Sequence, residues 1–261
     1  MNDIKLYKGD CLELMKDIPD KSVDMILCDL PYGTTACKWD TVIPFEPLWE
    51  QYKRVIKDNG AIVLFGSEPF SSALRMSNIK SYKYDWIWKK NKSQGFLNAK
   101  KMPLKDYENI SVFAKSTTIY NPQGLIKIDK VIKNGGTKNP TSNKANGDKT
   151  SANNAIKNEF YKQENTNYPT QVIEFKNSGS KQVHPTQKPV ALLEYLIKTY
   201  TNENETVLDN CMGSGSTGVA CINTNRKFIG MEMDNKYYDI ACKRIEDAKA
   251  CSENIGTSET D

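Results

Sequence analysis

Read only as apolar and polar positions, the chain divides into three zones. In the first, residues 1–115, short apolar runs alternate with apolar stripes at helical spacing. Val23–Cys28 is an almost unbroken apolar run, the pattern of a strand buried on both faces. Phe45–Lys57 reads as an amphipathic helix, Ala61–Gly66 as another strand and Pro69–Ser77 as a helix, with strands at Tyr84–Lys89 and Ile110–Lys115. In the second zone, 116–183, the alternation fades. Its stretch KNGGTKNPTSNKANGDKTSANNAIKN is rich in Asn, Lys, Gly and Thr and predicts a long loop or mobile insert. The third zone restarts the pattern with helix 189–200, strand Thr206–Asp209, helix 216–224, strand Lys227–Met231 and helix 235–250, followed by a frayed tail.

Alternating β and α signals favour a parallel sheet with helices on both faces. A single sheet assembled from both outer zones is the economical reading. The expectation is therefore one doubly wound α/β sheet, built from both ends of the chain and interrupted by the insert. A length of 261 residues supports one such domain.

Composition narrows the class. No run approaches the ~18 apolar residues of a membrane span, and MNDIKLYKGD lacks the apolar stretch of a signal peptide, so a cytoplasmic protein with no membrane partner is expected. Seven cysteines without a C-x-x-C pair do not form a zinc or disulfide pattern. His184 is the only histidine, which excludes a multi-histidine metal centre.

Charge is distributed unevenly. Residues 75–118 carry 10 basic and 3 acidic side chains, and residues 127–188 carry 11 and 5. The flanks are acidic, with 8 basic against 12 acidic in residues 1–74 and 7 against 12 in 189–261. A basic middle interleaved with Trp86, Trp88, Phe96 and Tyr107 is the footprint of a nucleic-acid face.

Two stretches carry chemistry. In TVLDNCMGSGSTGVAC, Gly213, Gly215 and Gly218 form a G-x-G-x-x-G pattern between a strand and a helix, and Glu232 ends the next strand. Glycines permit close backbone approach, a helix N-terminus favours anions, and an acid at the following strand end suits ribose hydroxyls. The pattern implies an adenosine-containing cofactor but leaves NAD and S-adenosylmethionine both open. In CDLPYGTTACKWD, Asp29, Pro31 and Tyr32 follow directly on the first buried strand. A carboxylate, a backbone carbonyl held by proline and a flat ring suit the activation of a conjugated amino group on a base.

That quartet, Asp29-Leu30-Pro31-Tyr32, resembles the D-P-P-Y signature of β-class amino-DNA methyltransferases. The glycine loop resembles their cofactor motif, and HPTQKPVALLEYLIKTY (184–200) resembles the segment before it, in the same order along the chain. Leu30 replaces the first proline, and Asn210-Cys211 replace the usual Pro-Phe. The resemblance implies a circularly permuted Rossmann-like sheet with a basic target-recognition insert. Its parts would be a catalytic half (1–115), the insert (116–183), a cofactor half (184–250) and a tail (251–261). It implies methyl transfer from S-adenosyl-L-methionine to adenine N6, with cytosine N4 as the alternative; Asp29 favours adenine because N4 enzymes usually carry Ser there. An NAD-dependent oxidoreductase is the alternative from another class.

The site residues that follow are Asp29, Pro31 and Tyr32 for catalysis. For the cofactor they are Asp10, Asp29, Thr186, Lys188, Asp209, Gly213, Gly215, Ser216, Thr217 and Glu232. Asp10 reads equally as a helix cap, while Thr186 and Lys188 are placed to hold the methionine carboxylate. Asn98, Lys100, Lys101, Lys133 and Lys138 are assigned to DNA, and no residue to a metal. The partner is double-stranded DNA; a homodimer and a cognate restriction nuclease are also compatible with the resemblance.

Overall fold

The apolar run Val23–Cys28 becomes a strand with those bounds, and its side chains divide between two cores. Met25 and Leu27 enter one core, while Val23, Ile26 and Cys28 enter the other. A strand with no polar face fits only the middle of a sheet covered on both sides.

The computed structural model describes residues 3–34, 40–133, 160–176 and 187–256. In chain order the first elements are β1 (Ile4–Lys8), α1 (Cys11–Leu14), β2 (Val23–Cys28), α2 (Phe45–Val55), β3 (Ile56–Gly66) and α3 (Phe70–Ser77). Then come β4 (Tyr82–Gln94), β5 (Lys105–Phe113), β6 (Ile126–Lys133), β7 (Phe160–Thr166) and β8 (Val172–Glu174). The chain closes with α4 (Val190–Tyr200), β9 (Thr206–Asp209), α5 (Ser216–Asn223), β10 (Lys227–Glu232) and α6 (Asn235–Gly256).

Eight strands form one sheet in the order β1-β10-β9-β2-β3-β5-β4-β8. Pairing is parallel from β1 through β3, antiparallel at β3–β5 and β5–β4, and parallel again at β4–β8. The N-terminal strand thus pairs with β10 from the far end of the chain, and both outer zones share one sheet as expected. Residues of α1, α2 and α3 pack in one core, and those of α4, α5 and α6 in the other. Among the described residues no helix is long and apolar enough to cross a membrane.

Several elements differ from the expected bounds. α2 stops at Val55 because Ile56 turns extended and pairs with Val23. β4 runs on to Gln94, carried by backbone pairing with β5 through a register shift rather than by apolar alternation. α6 continues to Gly256, past the expected end at 250, since nothing between Ala250 and Asn254 breaks a helix. The chain separates into two compact units, Met1–Asn121 with Thr170–Asp261, and Pro122–Pro169. β8, within the stretch expected as insert, belongs to the large unit through its pairing with β4. The small unit holds the antiparallel pair β6–β7. The polar stretch expected to loop out, 134–158, lies outside the described residues.

Candidate active site

Parallel strands β1, β10, β9 and β2 deliver their carboxyl ends to one side of the sheet. An acid stands at or just beyond each end: Asp10, Glu232, Asp209 and Asp29. β2 leads towards α2 in one core and β9 towards α5 in the other, so the helices switch faces between these two neighbours. Open α/β sheets bind ligands in the crevice at such a switch. All four acids line a cavity of about 790 Å³ there.

At one end of the cavity the Asp29 carboxylate is held from both sides. Its Oδ1 accepts a hydrogen bond from the Tyr32 hydroxyl at 2.5 Å, and its Oδ2 meets Lys188 Nζ at 2.5 Å. The Tyr32 ring stacks on Phe70 with centroids 5.0 Å apart, which sets its plane. Leu30 is buried in the core beside β2, so the residue replacing the first proline contributes packing as well as backbone. Just beyond, Asp40 accepts from the amides of Gly33 (2.8 Å) and Thr34 (2.9 Å).

Lys188 also lies 3.2 Å from Glu108, and Glu108 meets Lys90 at 2.5 Å. Lys90 and Lys188 are only 6% and 7% exposed, so each charge needs its partner. Burial pushes the Asp29 carboxyl above its ordinary range, against the pull of Lys188. For Lys188 burial acts downward, but Asp29 and Glu108 outweigh it and hold the ammonium protonated. Burial alone would raise Glu108, yet Lys188 and Lys90 hold it below the usual range.

Sequence reasoning missed Lys90, Glu108 and Asp40. For the first two the signal was present in the alternation. Trp86 and Trp88 face the core from β4, and Lys90 is next in that row; Glu108 precedes Ile110 and Val112 on β5 in the same way. A charge continuing an inward-facing row marks a functional position or a paired one. Lys188 was identified but given a different neighbour. It was expected to hold the methionine carboxylate, and its ammonium here forms ion pairs with Asp29 and Glu108.

At the other end, Glu232 joins two loops. Its Oε2 accepts from Gly213 N at 2.9 Å and its Oε1 from Asp234 N at 2.8 Å. Asp209 braces the glycine loop from below, accepting from Thr217 Oγ1 (2.6 Å) and Cys211 N (3.1 Å). Burial pushes its carboxyl up to about 6. Ser216 Oγ accepts from Arg244 of α6 at 3.2 Å. Asp10 caps α1, accepting from Leu12 N at 2.8 Å, and lines the cavity as well.

Gly215 and Gly218 pack closely against α6. A Cβ on Gly215 would sit 3.0 Å from Ala241, and one on Gly218 would sit 2.5 Å from Ile245, both on α6. Gly213 (φ +50°) and Gly215 (φ +77°) both turn the loop through the left-handed region, and Gly213 lines the cavity. Behind the loop, Cys11, Cys28 and Cys211 cluster around Asn210, which reaches Cys11 and Cys211 at 3.5 Å each. Hydrogen bonding to Cys211 pushes the Cys11 thiol up, and burial pushes Cys28 up to about 12, so both are neutral packing groups.

Asn98, Lys100 and Lys101 are exposed on the turn between β4 and β5. Lys133 ends β6. Thr186, Lys138 and His184 lie outside the described residues. No cluster of metal-ligating side chains occurs among the described residues.

The cavity suits an elongated adenosine-containing cofactor. Glu232 is oriented by two backbone amides, and a carboxylate retains lone pairs beyond those two bonds for further donors such as ribose hydroxyls.

Comparison with known proteins points the same way. The profile of the N6/N4 DNA methylase family matches residues 23–243. The chain is 29% identical to the DNA adenine methyltransferase YhdJ of Escherichia coli K12, over 92% of this chain and 82% of that one. It is 26% identical to the Type II methyltransferase M.HinfI of Haemophilus influenzae, over 94% of this chain and 68% of its relative. Among solved structures it resembles the M1.HpyAVI–SAM complex, with TM-score 0.62 and 28% identity over 93% of this chain and 98% of that one. It shares its fold with the cytosine-N4-specific PvuII DNA methyltransferase, with TM-score 0.64 and 16% identity over 97% and 94% of the two chains.

Proposed function

The chain belongs to the N6/N4 DNA methylase family, and from that premise we propose that it transfers a methyl group from S-adenosylmethionine to adenine N6 in double-stranded DNA. The observation that carries the reading is the Asp29 carboxylate, held between Tyr32 and Lys188 in the same cavity as Glu232. The nicotinamide reading that the glycine loop left open falls with the family match.

S-adenosylmethionine, when bound, supplies an electrophilic methyl group. Glu232 and Asp10 would hold its ribose and adenine. The remainder is the work of this chain's own groups. An adenine amino nitrogen donates its lone pair to the ring and is a poor nucleophile. Hydrogen bonds from that amino group to Asp29 and to the backbone carbonyl before Pro31 favour a pyramidal nitrogen with its lone pair free. Asp29 already accepts two bonds, and a carboxylate has capacity for a third. Once methylated, the nitrogen is cationic and strongly acidic, and Asp29 takes its proton directly or through water. Lys188 opposes the burial that favours the protonated carboxyl. Tyr32, with its plane set by Phe70, offers a stacking surface to a base that has left the duplex.

Modification-sensitive sequencing of DNA from cells expressing the chain tests this directly. N6-methyladenine within one sequence context is expected, absent with Asp29→Ala; N4-methylcytosine or unmodified DNA would overturn the reading. The relatives named Type II methyltransferases suggest a cognate nuclease as partner, which the mapped sequence would identify by its matching specificity.

A further inference from the structure

The turn between β4 and β5 exposes three large apolar side chains within seven residues. Leu97 is 101% exposed, Phe96 70% and Met102 59%. A folded chain seldom leaves such a cluster in water unless something covers it. The turn is built rather than slack. Gly95, at φ +91°, reverses the chain. Asn98 N and Ala99 N then bond back to Gly95 and Phe96, and Lys101 N and Met102 N both bond to Asn98 O.

Its surroundings indicate what covers it. Residues 87–105 contain six lysines and no acidic residue. Lys89 and Lys90 pair with Glu174 and Glu108, while Lys92, Lys100 and Lys101 stand exposed around the apolar tip. An apolar point ringed by cations suits a polyanion with an apolar interior, which describes a stacked duplex. The same strand also walls the cavity: Trp88, Lys90 and Gln94 of β4 line it. Phe96 lies two residues beyond Gln94, so at most roughly 7 Å of chain separates it from the cavity wall.

Resting on the reading of the chain as a DNA adenine methyltransferase, we propose that Phe96 and Leu97 form a wedge that enters the duplex at the step vacated by the extruded adenine. Extrusion leaves a gap walled by the faces of the neighbouring bases. Phe and Leu side chains wedge between base steps in DNA-bending proteins, and the same apolar surfaces can occupy this gap and recover part of the lost stacking. Lys92, Lys100 and Lys101 hold the flanking phosphates. The wedge favours the extruded state and takes no part in methyl transfer itself.

The test uses duplexes carrying the sequence mapped above. Phe96→Ala/Leu97→Ala should slow single-turnover methylation of the fully paired duplex by about tenfold or more. The rate should stay within about twofold of wild type when the target adenine is mispaired and already easy to extrude. The fluorescence rise of 2-aminopurine at the target position should shrink in parallel. Calorimetric titration with S-adenosylmethionine should be unchanged, because neither Phe96 nor Leu97 lines the cavity. Equal slowing on both duplexes, or no slowing on either, overturns the wedge. Failure of the underlying reading is distinct, since wild type would then methylate no adenine.

Discussion

Lys188 and Asp29 stand 159 positions apart in the chain, and their charged atoms meet at 2.5 Å. Glu108 completes the arrangement at 3.2 Å from the same ammonium. On the proposed reading Lys188 acts through Asp29, holding the carboxylate in place and opposing its protonation.

Lys188→Met tests that role. Burial already pushes Asp29 up and Lys188 opposes it, so removing the ammonium raises the carboxyl further. Activity that needs ionised Asp29 must then fail at a higher pH, moving the acid limb of the rate profile upward. Breaking the pair should also cost about 3–5 kcal/mol of stability. Single-turnover rates across pH, with urea melts alongside, measure both. Lys188→Arg should restore most of the profile; an unmoved acid limb in Lys188→Met would assign the lysine to another task.

Glu232 ties the glycine loop to the end of β10, and its loss should be felt by the cofactor. Glu232→Ala is expected to weaken S-adenosylmethionine binding by about 1.5–3 kcal/mol, the worth of a hydrogen bond to a charged group. Burial raises this carboxyl, so wild-type affinity should weaken on acidification above the usual carboxylate range. Glu232→Gln should flatten that dependence. Isothermal titration at several pH values decides; unchanged affinity in Glu232→Ala would refute the assignment.

Asp209 gives a prediction about stability. The unfolded chain releases this proton near pH 3.8, whereas the folded chain keeps it to about pH 6. Between those values the folded state binds more protons, so its stability falls as pH rises through the window. The difference of about two units corresponds to roughly 3 kcal/mol. Asp209→Asn should remove that decline and melt above wild type at neutral pH. A wild-type-like decline in the variant would mean that other groups carry it.

Gly218 tests the division of labour among the glycines. Gly218→Ala forces a methyl against Ile245 and Phe228, an overpacking that costs about 1–3 kcal/mol. The melting temperature should drop while cofactor affinity holds, and Ile245→Val should recover part of the loss. A variant that melts like wild type but binds cofactor poorly would return Gly218 to the ligand.

Much of the site was legible because strand ends are local events. The apolar run of β2 stops at Asp29, β9 stops at Asp209 and β10 at Glu232. The inward row of β4 even signalled Lys90, had the alternation been followed past Trp88. The turn of Phe96–Met102 was read for its lysines, since periodicity does not report that an apolar residue faces water. β8 was overlooked because three residues make too short a period to register, and its place comes from pairing with β4.

The sequence by itself determined the α/β class, the strands that end in acids and the order of the chemical motifs. Each depends on periodicities and turn residues within a few positions of one another. Only the tertiary structure decided which of those acids meet. β9 lies beside β2 although some 180 residues separate them in order, and that adjacency brings Asp209 and Asp29 to one cavity. Tertiary packing likewise set Lys188 against Asp29 and Glu108, and Gly215 and Gly218 against α6. The physical reason is the same in each case. A charge or a missing Cβ acquires its role from whatever packs against it, and those neighbours come from distant strands and helices that no local pattern specifies.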